Sequence, residues 1–514
     1  MSKPTSQKRR LAIGSVARVG MRGANILVAL GLTPFIIATL GDKDYGLWVV
    51  VAAFLGYYDL LDLGISSSVS RYVSASLETG DYEETNRLLS TAMAIYSVIA
   101  GIVLLLTIGL AGGAYLLDFP AGEGGDFAHM VLLLGVTQAI VIIMKVYSGV
   151  LSADLRFDLQ SLFQFIALIL RTTLIIVLLI NGIGVLGLAY ASAATYLLML
   201  ALPLWTVRSH HPQIRIRPWF VRKDKVKQLF SYSIFTFLAN ISQAIRFRLD
   251  NVVIAMVLPK ATALVAVAHY NIAAMLIQNF RLGLDAMFGV LFPYFSRVYA
   301  SGDQARMQRL VLFAIRRSVQ VSLFFGFALL VWGRDFIEAW INPEFLDAYP
   351  PLVVLATAIS LTMGQFPAYS FLYGTSRNQF VAIVNMIEAA LNLGLTLLLI
   401  GPLGLLGVAL GTAIPMLTMQ CTVLPIYTAR RLGVGLPKYL RNYLRGAMVS
   451  LIALLPVAAI AHLFSVPSLP MIFLQGFAGL AVYIGMLWLI ESLLAEPAQR
   501  RAPWHWALAT PERV

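Results

Sequence analysis

The sequence predicts an all-α polytopic membrane protein of about fourteen transmembrane helices: two pseudo-symmetric six-helix lobes in parallel repeat, plus two C-terminal helices. Three observations carry this reading. Hydrophobic residues make up 59% of the 514-residue chain and charged residues only 12%, against about 25% charged in a soluble domain. Near-continuous apolar runs such as 95–117, 131–150 and 451–464 recur along the chain, and roughly 20 such residues cross the hydrocarbon core as a helix. In lipid their backbone groups must be satisfied within the segment, which leaves the helix as their form. Finally, ordered polar anchors in one half of the chain return in the other.

The expected spans lie at 11–40, 45–75, 88–117, 128–152, 159–181, 185–207, 228–258, 262–296, 308–333, 348–374, 379–400, 404–428, 443–464 and 468–493. Cations follow the even-numbered spans: Arg87, Arg156, the run from Arg208 to Lys227, Arg297 with Arg306 and Arg309, Arg377, then Arg430, Arg431, Lys438 and Arg441. The N-terminus adds Lys3, Lys8, Arg9 and Arg10, whereas the opposite loops offer only Lys43, Lys260 and Arg334. The basic side is expected to be cytoplasmic, with both termini inside a plasma (inner) membrane. Met1–Arg10 precedes a long apolar run without a small-residue cleavage site, so it reads as part of a retained first span.

The net charge of +13 therefore has a topological origin, and no soluble basic domain is present to bind nucleic acid. The basic segment 208–227 reads first as a topology determinant and connector, and second as a site for anionic lipid head groups. It divides the chain into an N-terminal lobe (1–207), the connector (208–227), a C-terminal lobe (228–430) and two additional helices with a tail (431–514). The single cysteine, Cys421, excludes an internal disulfide. The six histidines lack metal-ligand spacing and no phosphate-binding loop is present. No cofactor, metal or catalytic constellation is expected.

The repeat rests on particular residues. Asp59 is followed by Ser70-Arg71 and Gly80-Asp81, and Asp285 by Ser296-Arg297 and Gly302-Asp303. Tyr147-Ser148, Arg156 and Gly184-Val185-Leu186-Gly187 return as Tyr369-Ser370, Arg377 and Gly404-Leu405-Leu406-Gly407, with Ala189 and Ala409 at the same offset. Each unit holds an even number of spans, so both copies run in the same direction and a substrate site is expected between them.

Charges inside the spans mark the candidate site, because a charge at the bilayer centre costs roughly 2.5–3.5 kcal/mol on an insertion scale and normally faces a polar interior. Arg18 and Arg22 share one helix face and form a forked donor array suited to phosphate oxygens; structural pairing or snorkelling is the alternative. Arg246 and Asp250 are spaced either for a same-face ion pair or for the same anion-binding role, and Arg248 points elsewhere. Arg281 and Asp285 favour a pair. Lys145 and Arg171 add cations to the first half, and Glu388 an acid to the second. Asp59 and Asp62, three apart, are candidates for a proton or sodium relay, the alternative being pairing with a cation of a neighbouring helix. Gln138, Gln164, Gln243, Gln278 and Gln365 either line a sugar-compatible cavity or act as packing glue.

Tyr45-Gly46-Leu47-Trp48, Asp59-Leu60-Leu61-Asp62-Leu63-Gly64-Ile65 and Ser70-Arg71-Tyr72-Val73 together resemble the start of bacterial polysaccharide and O-antigen flippases, of the multidrug/oligosaccharidyl-lipid/polysaccharide exporter superfamily. The resemblance is sharpest over Leu40–Leu89 and extends through the repeat toward residue 430. It implies two six-helix lobes around a cationic cavity and alternating access for a polyprenyl-diphosphate-linked oligosaccharide, with membrane lipid, glycan polymerase and glycosyltransferases as partners. It further implies diphosphate binding by arginines of the first and seventh helices, where Arg18, Arg22, Arg246 and Arg248 fall. Spans 443–464 and 468–493 resemble the extra helix pair of lipid II flippases. Two other functions compete. A cation-coupled multidrug exporter is disfavoured by the arginine excess, since organic cations seek acidic and aromatic cavities. A membrane-embedded glycan polymerase or transferase requires catalytic acids and a substantial outer loop, and the outer segments 118–126 and 334–347 are short.

Overall fold

The structure, a computed structural model, describes residues 4–114, 123–230, 249–289, 291–375, 377–463 and 468–494. Among them every regular element is helical, and eleven helices are long and apolar enough to cross a membrane. Two of these, Gly23–Glu78 and Gln379–Leu432, are 56 and 54 residues long; the first runs from within the expected span 11–40 through 45–75, and the second holds 379–400 and 404–428. The chain turns between them at Gly41 (φ 78°) and Gly404 (φ 55°), conformations that a residue without Cβ adopts freely. Residues 231–248, the centre of the expected seventh span, lie outside the described residues.

By packing, the chain divides into two units, Met1–Ala268 and His269–Val514. The first contains α1 (Pro4–Tyr58), a 3₁₀ turn at Asp59–Asp62, α2 (Ile65–Glu78), α3 (Tyr82–Ala114), α4 (Glu123–Ala153), α5 (Phe157–Ile180) and α6 (Leu186–His210). Helix α4 packs against α2, α3 and α6. A methyl group on Gly135 would lie 2.2 Å from Thr107 Oγ1 of α3, and one on Gly149 2.8 Å from Val69 Cγ1 of α2. Small residues at such contacts let membrane helices gain packing that a uniformly apolar solvent does not drive.

Helix α7 (Lys260–Phe288) begins in the first unit and continues into the second. There follow α8 (Leu291–Ala300), α9 (Gln304–Trp340), α10 (Tyr349–Met363), α11 (Phe366–Gly374), α12 (Asn378–Thr418), a π-helical turn (Met419–Val423), α13 (Leu424–Leu432), α14 (Leu436–Leu463) and α15 (Leu469–Leu494). The two arms of α12 fold tightly on one another. A methyl on Gly407 would sit 2.1 Å from the Leu399 carbonyl oxygen, and one on Gly411 2.4 Å from Thr396 Oγ1. At Gly407 the obstacle is backbone and cannot rotate away. Gly407→Ala should therefore cost about 1–3 kcal/mol, read as a fall in the melting temperature of the purified protein. An unchanged value would contradict this close approach.

The polar anchors of the two halves adopt matching local geometry. Gly80 and Gly302 both have φ 72°. After each, an aspartate caps the next helix: Asp81 Oδ1 accepts from Glu84 N at 2.9 Å and Asp303 Oδ1 from Arg306 N at 2.8 Å. Arg156 N donates to Leu151 O at 2.9 Å, and Arg377 N to Leu372 O at 2.8 Å. Gly184 and Gly404 both have positive φ, and Ala189 and Ala409 are both fully buried. The second helix of each half also breaks shortly after its aspartate. In the first half the break follows Asp59 at Leu63-Gly64, both left-handed; in the second, α7 ends at Phe288, just past Asp285.

Candidate functional site

The break at Leu63-Gly64 builds the most detailed polar site of the first unit. A left-handed Leu63 (φ 51°) is sterically costly, and it ends the 3₁₀ turn so that Asp62 stands beside the first turn of α2. Asp62 Oδ1 accepts from Ser66 Oγ at 2.6 Å and from Tyr96 Oη of α3 at 2.8 Å. Lys145 Nζ of α4 approaches the same oxygen at 4.0 Å. Asp62 is 9% exposed and Tyr96 fully buried. A carboxylate in this setting needs donors and a cation to remain charged, and three helices supply them. The arrangement can hold a charge inside the membrane.

Among the described residues, the second unit contains two further buried carboxylate sites. Glu388, 1% exposed, accepts from Gln420 Nε2 at 3.2 Å on Oε2, and Asn392 Nδ2 donates to Thr412 Oγ1 at 2.8 Å. Glu388, Asn392 and Thr396 share one face of α12 at helical spacing, opposite the glycine-lined returning arm. Nearer the ends of α9 and α15, Glu491 Oε1 accepts from Arg316 Nη2 at 2.9 Å and from Gln320 Nε2 at 3.0 Å, while Arg317 Nη2 binds Oε2. Trp332 Nε1 donates to Gln475 Oε1 at 2.9 Å, and Tyr483 Oη to Gln320 O at 2.8 Å. This polar seam fastens α15 to α9.

Other expected residues are placed as follows. Arg281 Nε lies 3.7 Å from Asp285 Oδ2. Arg171 is exposed on α5, and Asp250 is buried. Gln365 accepts from Tyr439 Oη at 2.6 Å, a packing contact between α14 and the α10–α11 junction. The side chains of Arg18, Arg22 and Asp59, and the whole of Gln243, Arg246 and Arg248, lie outside the described residues. Arg316, Arg317, Gln320 and Glu491 were not singled out from sequence. They lie within the expected spans 308–333 and 468–493, so the rule that marked Lys145 would have marked the three charged ones.

A sequence profile described as "Polysaccharide biosynthesis protein" matches residues 14–299, more than half of the chain. The chain belongs to this family. The chain is similar to the "Uncharacterized membrane protein EpsK" of Bacillus subtilis, 22% identical over 88% of this chain and 90% of that protein. The "Probable low-salt glycan biosynthesis flippase Agl15" of Haloferax volcanii is 23% identical over 75% and 76%. Among solved structures, the fold resembles lipid II flippase MurJ in an inward closed conformation (TM-score 0.69, 14% identity, 94% of this chain and all of that one). It also resembles an inward-facing multidrug MATE transporter of the MOP superfamily (TM-score 0.64, 15% identity, 80% and 99%). The chain thus has a fold like those of the MATE transporter and MurJ, as the resemblance over residues 40–89 implies.

Proposed function

We propose that this protein is a flippase that moves a polyprenyl-diphosphate-linked oligosaccharide from the cytoplasmic to the outer face of the plasma membrane by alternating access. The observation that carries the reading is the family match over residues 14–299, together with a flippase-like fold that extends over 94% of the chain. The intramembrane charges agree with it. A diphosphate is anionic and an oligosaccharide wholly polar, so both require a hydrated, cation-bearing path, whereas the polyprenyl tail remains in lipid. In this reading Arg18 and Arg22, with Arg246 and Arg248, hold the diphosphate. Lys145, Arg171 and Arg281 add positive potential. Asp62, which already shares Lys145, is the carboxylate whose charge state changes during transport, and Asp59, Asp250, Asp285 and Glu388 are further candidates for coupling. The protein makes and breaks no glycosidic bond; glycosyltransferases supply its cargo and a polymerase or ligase consumes it. Both termini are cytoplasmic.

Replacing Arg18 and Arg22 together by Ala should reduce export at least tenfold, because each removes a charge-assisted contact worth roughly 1.5–3 kcal/mol. The measurement is surface glycan in cells whose only copy of the gene carries the change, with protein in the membrane quantified in parallel. Normal surface glycan at normal protein level would reject the diphosphate role.

A further inference from the structure

The segment between α6 and residue 228 is fixed to the first unit by its backbone. Asn86 of α3 donates through Nδ2 to Gln213 O at 3.2 Å and accepts from Arg215 N at 2.8 Å. Ser90 Oγ accepts from Arg217 N at 3.0 Å and Thr91 Oγ1 from Arg222 N at 3.1 Å. These three α3 side chains are 8%, 3% and 0% exposed, so the strap is held along one line of buried acceptors. Lys225 is paired with Glu84. The remaining cations, Arg208, Arg215, Arg217, Arg222, Lys223 and Lys227, are all exposed. Trp205, on the last turns of α6, and Trp219, on the strap, are 69% and 65% exposed. The Arg217 guanidinium stacks over the Trp219 ring at 5.1 Å.

A connector that served only as a topological signal would need its charges but no fixed backbone. Here the backbone is anchored while six cationic side chains are exposed, with the Trp219 indole among them and that of Trp205 beside them on α6. Indoles settle at the head-group level of a bilayer, and clustered cations beside a membrane span attract its anionic lipids. We propose that the strap 208–227 is a clamp for anionic phospholipids of the leaflet it adjoins. The cations are spread over residues 208–227, from the end of α6 at Arg208, through Arg215 and Arg217 on non-helical backbone (Arg217 φ −143°, ψ 144°), to the helical turns at Lys223 and Lys227, a spread that fits several head groups and not a single diphosphate.

The test uses the full-length protein in neutral detergent, titrated with phosphatidylglycerol or with phosphatidylcholine and followed by melting temperature and by lipid retained on the protein. Each interfacial cation contributes on the order of fivefold to acidic-membrane affinity. The variant Arg215→Gln/Arg217→Gln/Arg222→Gln/Lys223→Gln should therefore bind phosphatidylglycerol at least a hundredfold more weakly. The corresponding Arg→Lys variant should bind as the unsubstituted chain does, and raised salt should weaken both. Equal binding of phosphatidylglycerol by the Gln variant overturns the proposal, as does equal stabilisation by phosphatidylcholine. Displacement of the lipid by millimolar pyrophosphate at constant ionic strength would show a discrete diphosphate pocket instead. Should the Gln variant fail to fold, the salt dependence of the unsubstituted protein decides, its absence counting against the clamp. None of these readouts depends on transport, so they stand apart from the flippase reading.

Discussion

Glu491→Ala should lower stability by about 3–5 kcal/mol, the cost of removing one partner from a buried ionic cluster. The side chain of Glu491 is 6% exposed and those of Arg316 and Arg317 are 17% and 15% exposed. Without the carboxylate, two adjacent guanidinium groups remain within the span and repel each other. Because Glu491 lies on α15 and both arginines on α9, the damage should concentrate at the C-terminal helix pair. Protease cleavage between α14 and α15 should accelerate before the rest of the second unit melts. Glu491→Gln, which keeps acceptor and shape but not charge, should lose less. A melting temperature for Glu491→Ala equal to that of the unsubstituted protein would show that the seam does not hold α15 in place.

The second large effect concerns transport. Asp62→Asn and Lys145→Met should each lower stability by about 2–3 kcal/mol, somewhat below the cost for a fully buried pair because Lys145 keeps 24% of its side chain exposed. The informative protein is the double variant, which leaves neither charge unpaired. If Asp62 and Lys145 serve only to pair with one another, the double variant should recover both membrane level and glycan export. If Asp62 changes its charge state during transport, as proposed, the double variant should recover its level while export remains at least tenfold down. Full recovery of export would remove Asp62 from the mechanism. The contrast works because a double-mutant comparison separates the cost of an orphaned charge from the role of the charge itself.

The same pair shows where reading the sequence reaches its limit. Asp62 stands out in sequence as a carboxylate inside an apolar span, and pairing with a cation of a neighbouring helix is one of its two readings. Which cation is not legible, because Lys145 lies on a helix that α3 separates from it along the chain. Arg281 and Asp285 are the opposite case: four residues apart on one helix, they meet as the helical period requires. Gly80-Asp81 and Gly302-Asp303 are likewise local, a left-handed residue followed by a helix cap, and both halves form them identically. The broken second helix was not foreseen: its 45–75 span reads as one apolar run, and the turn at Leu63 places a bulky residue where glycine is usual.

What the sequence alone determined is the membrane-spanning helical class, the repeat with its local anchors, and the basic and neutral loop pattern. These depend on hydropathy and on hydrogen bonds made within one or two helical turns, which a linear string records directly. What only the tertiary structure decided is which intramembrane charges meet: Asp62 with Lys145 and Tyr96, Glu388 with Gln420, Glu491 with Arg316 and Arg317. These partners are tens to nearly two hundred residues apart. Their meeting is set by how helices pack, and in lipid that packing is governed by side-chain shape and polar satisfaction, neither of which leaves a periodic trace in the chain.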